Sequence, residues 1–340
     1  MRARLASLLT NRRFVVAAEL VLVAVLLAFL GYALRDAWHD ALPRLRHASV
    51  VDVAAAVGVL AAYYLLFVQG WRWILAALGI RVGYGVALQS EMASMLAKYV
   101  PGGVWTPLAR LAWLRRAGGV RASSAVLGSI LLEAGLSAVA GVAVFVAGLP
   151  WAGDVDAPLV PLALFAAAVT FLIHPRVFRP LARRLFRRFG GAEPPVLSYR
   201  TMLALLAWYA ATWLVGGTSV FFLLRAVGAD PGLEAVPYLG GTAAVGAIVA
   251  VLSIVAPSGL GVREGAMYGL FLAVAASGPA LGATVLNRLA ITIVEALLLA
   301  GGVLAWRILG VPVRTESPLP AARTRSETLG EELERTLRTR

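Results

Sequence analysis

Residues 98–107 have the sequence KYVPGGVWTP, a charged and helix-breaking stretch among apolar segments, and Arg110 follows it. Lys98 is the only lysine among 31 basic residues. Proline lacks a backbone N–H and glycine is entropically costly in a helix, so the Pro-Gly-Gly at 101–103 is expected to interrupt a helix. Inside a membrane, broken backbone persists only where protein or a water-filled cavity satisfies its polar groups. The stretch therefore indicates a site rather than a plain membrane span.

The composition around this stretch is that of a polytopic α-helical membrane protein. The 340 residues are 60% hydrophobic and 14% charged, whereas soluble domains carry about 25% charged residues. Several windows of about 20 apolar residues match a hydrocarbon core of about 30 Å. The chain has no cysteine, and His39, His47 and His174 are far apart, so neither a metal site nor any other cofactor is expected. Arginine-rich loops facing anionic lipid, and not nucleic acid, explain the net charge of +13.

Loop charge predicts the topology. The loop 175–200 holds seven Arg against one Glu, so it is assigned to the cytoplasm. Both termini are also assigned to the cytoplasm, and the protein is expected in the plasma membrane. The segment 84–107 has Arg on both flanks, which favours a re-entrant hairpin over a full span. Residues 36–49 are assigned to a loop and the tail 311–340 to disorder. The six predicted full helices are 14–35, 51–78, 123–148, 158–174, 201–226 and 280–308.

A second break interrupts the apolar segment 236–277, which forms either a second re-entrant hairpin or two complete spans. Its sequence APSGL at 256–260 aligns with VPGGV at 100–104. The first break is flanked by basic loops and the second by acidic ones. This opposition favours inverted-topology repeats at about 51–148 and 201–308, a design that places substrate sites at broken helices near the midplane. Chance similarity of two Pro-Gly breaks is the alternative. The fold class is thus an all-α transmembrane bundle, residues 1–310, with two broken or re-entrant hairpins.

Three motifs together resemble the lysylphosphatidylglycerol synthase transmembrane-region family, whose members are also called flippase-like. They are the stretch at 98–107 with Arg110, the triplet WRW at 71–73 and the motif PSGLGVRE at 257–264. The resemblance covers about residues 10–310. It implies a membrane domain that moves an amphiphile between leaflets, often an aminoacylated or glycosylated lipid. The full synthases carry a soluble aminoacyl-transferase domain, so this chain is not expected to be a synthase. The family's first motif often has a Gly-acid pair where this chain has Trp105-Thr106.

Ionisable residues within a membrane cost about 2.5–3.5 kcal/mol each on insertion scales, so they are expected to be paired or functional. Glu91 and Lys98 lie seven residues apart on one predicted helical face, with Ser94 between them. Lys98 is predicted to attract a lipid phosphate; a Glu91–Lys98 pair or a snorkelling Lys98 is the alternative. Arg263 is a second phosphate contact, unless it pairs with its neighbour Glu264.

The sequence does not decide the roles of three further charged residues. Arg110 serves the same anionic site or lies among interfacial arginines. Glu133 and Arg288 either contribute to the site or pair with each other across the repeat interface, and Glu295 shares a predicted face with Arg288. The candidate substrate-binding residues are Lys98, Pro101, Gly102, Gly103, Trp105, Arg110, Pro257, Gly259, Arg263, Glu264, Glu91, Glu133 and Arg288.

Three functions are compatible with this pattern. The favoured one is translocation of an anionic or glycosylated lipid, with no ATP site because the chain has no G-x-x-x-x-G-K-[ST] motif. The second is a non-transporting partner of an envelope lipid or glycan biosynthetic complex. The third is an intramembrane transferase with Glu91, Glu133 or Glu264 as general base; no nucleophile or metal motif accompanies these acids, so no enzymatic activity is expected.

Overall fold

A computed structural model describes residues 35–98, 105–120, 123–152, 197–252 and 259–309. Within these residues every regular element is a helix. The predicted first helix, helix 158–174, most of loop 175–200, the tail and the tips of both breaks, including Pro101, Gly102, Gly103 and Pro257, lie outside the described residues. The helices are α1 Arg35–Arg46, α2 Val50–Ala77, α3 Tyr84–Ala97, α4 Trp105–Gly118, α5 Ser123–Gly148, α6 Tyr199–Ala226, α7 Val236–Leu252, α8 Val262–Phe271 and α9 Ser277–Leu309.

Five of the described helical segments are long and apolar enough to cross a membrane, which confirms the predicted all-α membrane bundle. They are Val50–Ala77, Ser124–Trp151, Tyr199–Ala226, Leu233–Leu252 and Ser277–Leu304. The predicted loop at 36–49 is wrong, because α1 occupies most of it and packs against α9. Asp40 and Arg44 form an i,i+4 ion pair of 3.6 Å in α1, so the mixed charge supports a helix there.

Three of the helices that flank the two breaks are shorter than a membrane span. α3 and α4 have 14 residues each and rise about 21 Å, and the 10 residues of α8 rise about 15 Å. A hydrocarbon core of about 30 Å exceeds all three lengths. Within segment 236–277 the described helices are α7, which lies in the candidate span Leu233–Leu252, and the shorter α8.

Helix α6 lies at the centre of the bundle, in contact with α2, α5, α7 and α9. It begins at Ser198, whose hydroxyl accepts a hydrogen bond of 3.1 Å from the N–H of Thr201. It ends before Gly228, which has a φ of +83° that suits glycine. Helix α2 has the same length of 28 residues and the same Ser cap, at Ser49.

Neighbour relations repeat between the two halves of the chain. Helix α3 packs against α9, and α7 packs against α5. α3 and α4 contact each other, as do α7 and α8, and α2 and α6 each contact both α5 and α9. The contacts α2–α3 and α4–α5 likewise have the counterparts α6–α7 and α8–α9. If α2, α3, α4 and α5 are exchanged in order with α6, α7, α8 and α9, each of these packed pairs therefore becomes another pair of the same set.

Small residues bring the helices of the core close together. Gly217 of α6 faces Gly240 of α7: a Cβ added to Gly217 would lie 2.5 Å from the Gly240 nitrogen. A Cβ on Gly241 of α7 would likewise overlap Phe145 of α5. Helix α7 therefore fits against α5 and α6 because glycine occupies these contact positions.

Candidate functional site

Lys98 ends α3 immediately before the first break and bonds to the last helix. Its Nζ lies 2.5 and 2.7 Å from the two carboxylate oxygens of Glu295 in α9. The hydroxyl of Tyr64, near the middle of α2, donates a 2.7 Å hydrogen bond to Glu295 Oε1. The Lys98 and Glu295 side chains are only 18% and 9% exposed. The first break is thus tied to α9 by a nearly buried, charge-assisted contact.

The second break is tied to the same helix. Gly261, at a φ of +81°, precedes α8, and its N–H donates to Glu264 Oε2 at 2.7 Å. Arg288 of α9 donates from Nη1 to Glu264 Oε1 at 3.3 Å. Gly259 also has a positive φ, +65°, where a side chain would be strained. Glu264 therefore both caps α8 and connects the break to α9.

Arg263 adds a cation to this region. Its stem lies beside Gly246 of α7, and its guanidinium is within electrostatic range of Lys98, Tyr63 and Tyr64. Within the described part of the chain no carboxylate pairs with Arg263, and its Nε is buried without a hydrogen bond. Arg263 thus supplies a positive charge that no described acid neutralises.

These side chains form one group, which we call the α9 cluster: Tyr64, Lys98, Arg263, Glu264, Arg288 and Glu295. Arg288 and Glu295 are seven residues apart, so they lie on one face of α9 about 10.5 Å apart along the axis. The three cations and two carboxylates give the cluster a formal charge of +1. A single additional negative group, such as a phosphate, would neutralise it.

A second group, the Glu–Arg–Glu cluster, consists of Glu91, Arg110 and Glu133. The Arg110 guanidinium pairs with Glu91 through Nη2 and with Glu133 through Nη1. All three are buried, with exposed fractions of 1%, 4% and 3%. Glu133 is the tenth residue of the 28-residue candidate span Ser124–Trp151, about 14 Å from its start. The formal charge of this cluster is −1.

Neighbouring side chains hold Arg110 in place. The Trp71 ring lies under its guanidinium at 4.4 Å from the ring centroid, a cation–π distance. The indole N–H of Trp71 donates to Ser129 at 3.0 Å, and Ser129 in turn donates to the Val126 carbonyl at 2.6 Å. Ser90 donates to the Arg110 carbonyl oxygen at 3.1 Å.

Several predicted pairings are wrong. Glu91 pairs with Arg110 and not with Lys98, and Glu133 pairs with Arg110 and not with Arg288, because α3, α4 and α5 meet around the guanidinium. The carboxylate of Glu264 pairs with Arg288 rather than with its neighbour in sequence.

Arg110, for which an interfacial position was one of two alternatives, and Trp71 are also buried. Arg110 is not an interfacial arginine, since it lies between two carboxylates. Trp71 is fully buried under Arg110, whereas Trp73 is 42% exposed, so of these two rings only Trp73 has the exposure of an interfacial anchor.

The structure gathers Lys98, Arg263, Glu264 and Arg288 in one cluster and Glu91, Arg110 and Glu133 in another. Trp105 begins α4 and is 37% exposed. Sequence reasoning left Glu295 and Tyr64 out of the site. The seven-residue spacing of Glu295 from Arg288 was a usable signal, whereas nothing in the sequence marks Tyr64 as a partner of Glu295.

The family model Lysylphosphatidylglycerol synthase TM region matches residues 16–299. The chain belongs to the lysylphosphatidylglycerol synthase transmembrane-region family. The match includes both breaks, both clusters and the five candidate spans up to residue 299. No curated protein matches the chain. Family membership and the apolar helices together establish a multi-pass membrane protein, consistent with a role related to lipids.

Proposed function

We propose that this protein binds the anionic headgroup of a membrane lipid at the α9 cluster and moves that lipid between leaflets. The observation that carries the proposal is the convergence of both broken segments on one face of α9, through Lys98–Glu295 and Glu264–Arg288. Broken helices that meet near the middle of a membrane are the usual substrate sites of transporters.

The charge of the cluster favours an anionic ligand. Arg263 has no described carboxylate partner, and Lys98 is held by a carboxylate that a phosphate could replace. The start of α8 adds backbone N–H groups, which attract anions at a helix N-terminus. Removing a carboxylate from a buried ion pair is costly unless another anion takes its place. Opening of the Lys98–Glu295 contact would therefore be linked to lipid binding.

The repeated neighbour pattern supports a mechanism for movement. We propose that α2–α5 and α6–α9 are inverted repeats, and that α3–α4 and α7–α8 are their broken hairpins, with α3–α4 re-entrant. Exchange of the α3–α9 and α5–α7 contacts would then open the cluster to one side and next to the other. The lipid leaves with its mass unchanged, so the proposal assigns no chemical reaction to the protein. It places the protein in the plasma membrane with both termini in the cytoplasm and lipid as its partner.

Purified protein in liposomes with a trace of fluorescent phosphatidylglycerol tests the proposal. Dithionite quenches only outer-leaflet label, so wild-type protein should carry quenching beyond half. Lys98→Gln or Arg263→Gln should slow this phase about tenfold or more, since each removes a charged contact to the phosphate. Arg200→Gln, which neutralises an exposed arginine, is the matched control. A plateau at half with wild-type protein, for this lipid and for a glycosylated lipid alike, would refute the proposal.

A further inference from the structure

The Glu–Arg–Glu cluster takes no part in headgroup binding as proposed above, and its charge has the wrong sign for it. Two carboxylates share one guanidinium inside the helical bundle, and all three side chains are nearly inaccessible. Two carboxylates brought together in a poorly solvated place do not both stay ionised readily, which favours proton binding at one of them. One Arg neutralises only one of the two acids.

Other groups facing the cluster are neutral and include an unpartnered donor. Tyr209 of α6 is 0% exposed, and its hydroxyl has no hydrogen-bond partner among the described residues. It lies near enough to Glu133 and Arg110 for their charges to act on it. Glu91 Oε1 and Glu133 Oε1 are also buried without a hydrogen bond in the described part of the chain. The described cluster therefore contains buried carboxylate oxygens that no hydrogen-bond donor reaches, with Arg110 Nε and the Tyr209 hydroxyl as unpartnered donors beside them.

The charged and titratable groups around the cluster are few. Helix α3 contributes Glu91, α4 contributes Arg110 and α5 contributes Glu133. Helices α2 and α6 contribute the phenols Tyr63 and Tyr209. No second described cation forms an ion pair with either acid, so only a proton or Arg110 can neutralise them.

We propose that the Glu–Arg–Glu cluster is a proton-binding site that takes up and releases one proton in each transport cycle. A proton from water forms an O–H bond with a carboxylate oxygen of Glu91 or Glu133, and the same bond breaks when the proton returns to water on the other side. No electron is transferred. The coupling to lipid movement rests on the proposed function; the proton site itself does not.

Helix α3 connects the two clusters. Glu91 and Lys98 lie on one face of α3, two turns or about 10.5 Å apart. Between them, Ser94 is buried and donates a 2.7 Å hydrogen bond to the Glu91 carbonyl. When one of the two acids is protonated, Arg110 forms an ion pair with the other acid alone. The contacts that join α3, α4 and α5 therefore change. A shift of α3 would move Lys98 relative to Glu295.

Infrared difference spectroscopy tests the proton site without any transport assay. Full-length protein in liposomes, exchanged between acidic and alkaline buffer, should show the C=O stretch of one buried carboxylic acid. Glu91→Gln and Glu133→Gln should each abolish it, because the remaining acid has Arg110 to itself. Arg110→Gln should raise its amplitude up to about twofold, since both acids then need a proton. Glu234→Gln, which changes an exposed acid, should leave it intact. Absence of the signal in wild type, or its survival in both Glu→Gln variants, would overturn the proposal.

A second measurement separates this proposal from the proposed function. If one proton moves with each lipid, a transmembrane pH gradient should redistribute the labelled lipid in liposomes. The ratio of labelled lipid in the two leaflets should change by up to about tenfold per pH unit. Lipid movement that ignores the gradient would overturn coupling while sustaining the proposed function. An intact infrared signal without lipid movement would sustain the proton site and reject the proposed function.

Discussion

Arg110 shows how one residue acquires its role from neighbours that are distant in sequence. Its guanidinium contacts acids 19 residues before it and 23 residues after it, and it lies over Trp71. Arg110→Leu should leave two buried carboxylates without a cation and destabilise the protein by about 3–5 kcal/mol. Unfolding by SDS titration, followed by circular dichroism, would measure this loss.

Two comparisons give that prediction its control. Arg116→Leu removes an exposed arginine from the same helix and should change stability by less than about 0.5 kcal/mol. The triple variant Glu91→Gln, Arg110→Leu, Glu133→Gln removes the charges together and should recover more than half of the loss, because no buried charge stays unpaired. Equal stability of Arg110→Leu and Arg116→Leu would contradict the buried triad.

Among single residues, the sequence singled out ionisable side chains within apolar segments, but it did not predict which of them form pairs. Lys98, Arg263 and Glu264 were recognisable because charge beside a Pro-Gly break in an apolar segment is unusual. The pairing of Lys98 with Glu295 could not be predicted from the sequence. The two residues are 197 positions apart, and their contact depends on how α3 packs against α9. Spacing along a helix constrains i,i+7 neighbours but says nothing about contacts between helices.

Among the elements, α7 needs glycine where it packs against α5 and α6. Gly241→Leu should drive a large side chain into Phe145 of α5 and cost about 1–3 kcal/mol or prevent folding. Gly58→Leu is the matched control in α2, since a Cβ there meets nothing within 4 Å. Fluorescence-detected size exclusion after heating would compare them. Similar thermal stability of both variants would argue against close packing of α5 on α7.

Element boundaries were largely predictable from apolar length and flanking charge. The prediction of 123–148 coincides with α5, and 51–78 differs from α2 by one residue at each end. Helix α1 was missed because its charges are balanced and it contains Pro43, which favours a loop when no neighbour is known. Packing against α9 supplies the missing stabilisation.

For the whole molecule, the two halves of the chain have matching helix–helix contacts. This repetition is the basis for proposing that the α9 cluster opens first to one side of the membrane and then to the other. Opening requires α3 to part from α9, where Gln89 donates a 3.3 Å hydrogen bond to the Leu298 carbonyl and lies against Gly302. A covalent link across this contact would hold the Lys98–Glu295 pair closed. The chain contains no cysteine, so an engineered pair would react only with itself.

The double variant Gln89→Cys, Gly302→Cys should therefore move labelled lipid when reduced and slow about tenfold or more when oxidised. Reduction should restore the rate, because the link is the only change. Oxidised Gln89→Cys alone controls for damage by the oxidant. The size of the effect follows from the mechanism: a contact that must open in every cycle limits the rate completely when locked. If the linked protein moves lipid at the reduced rate, α3 and α9 stay together throughout the cycle, and the path of the lipid must lie elsewhere in the bundle.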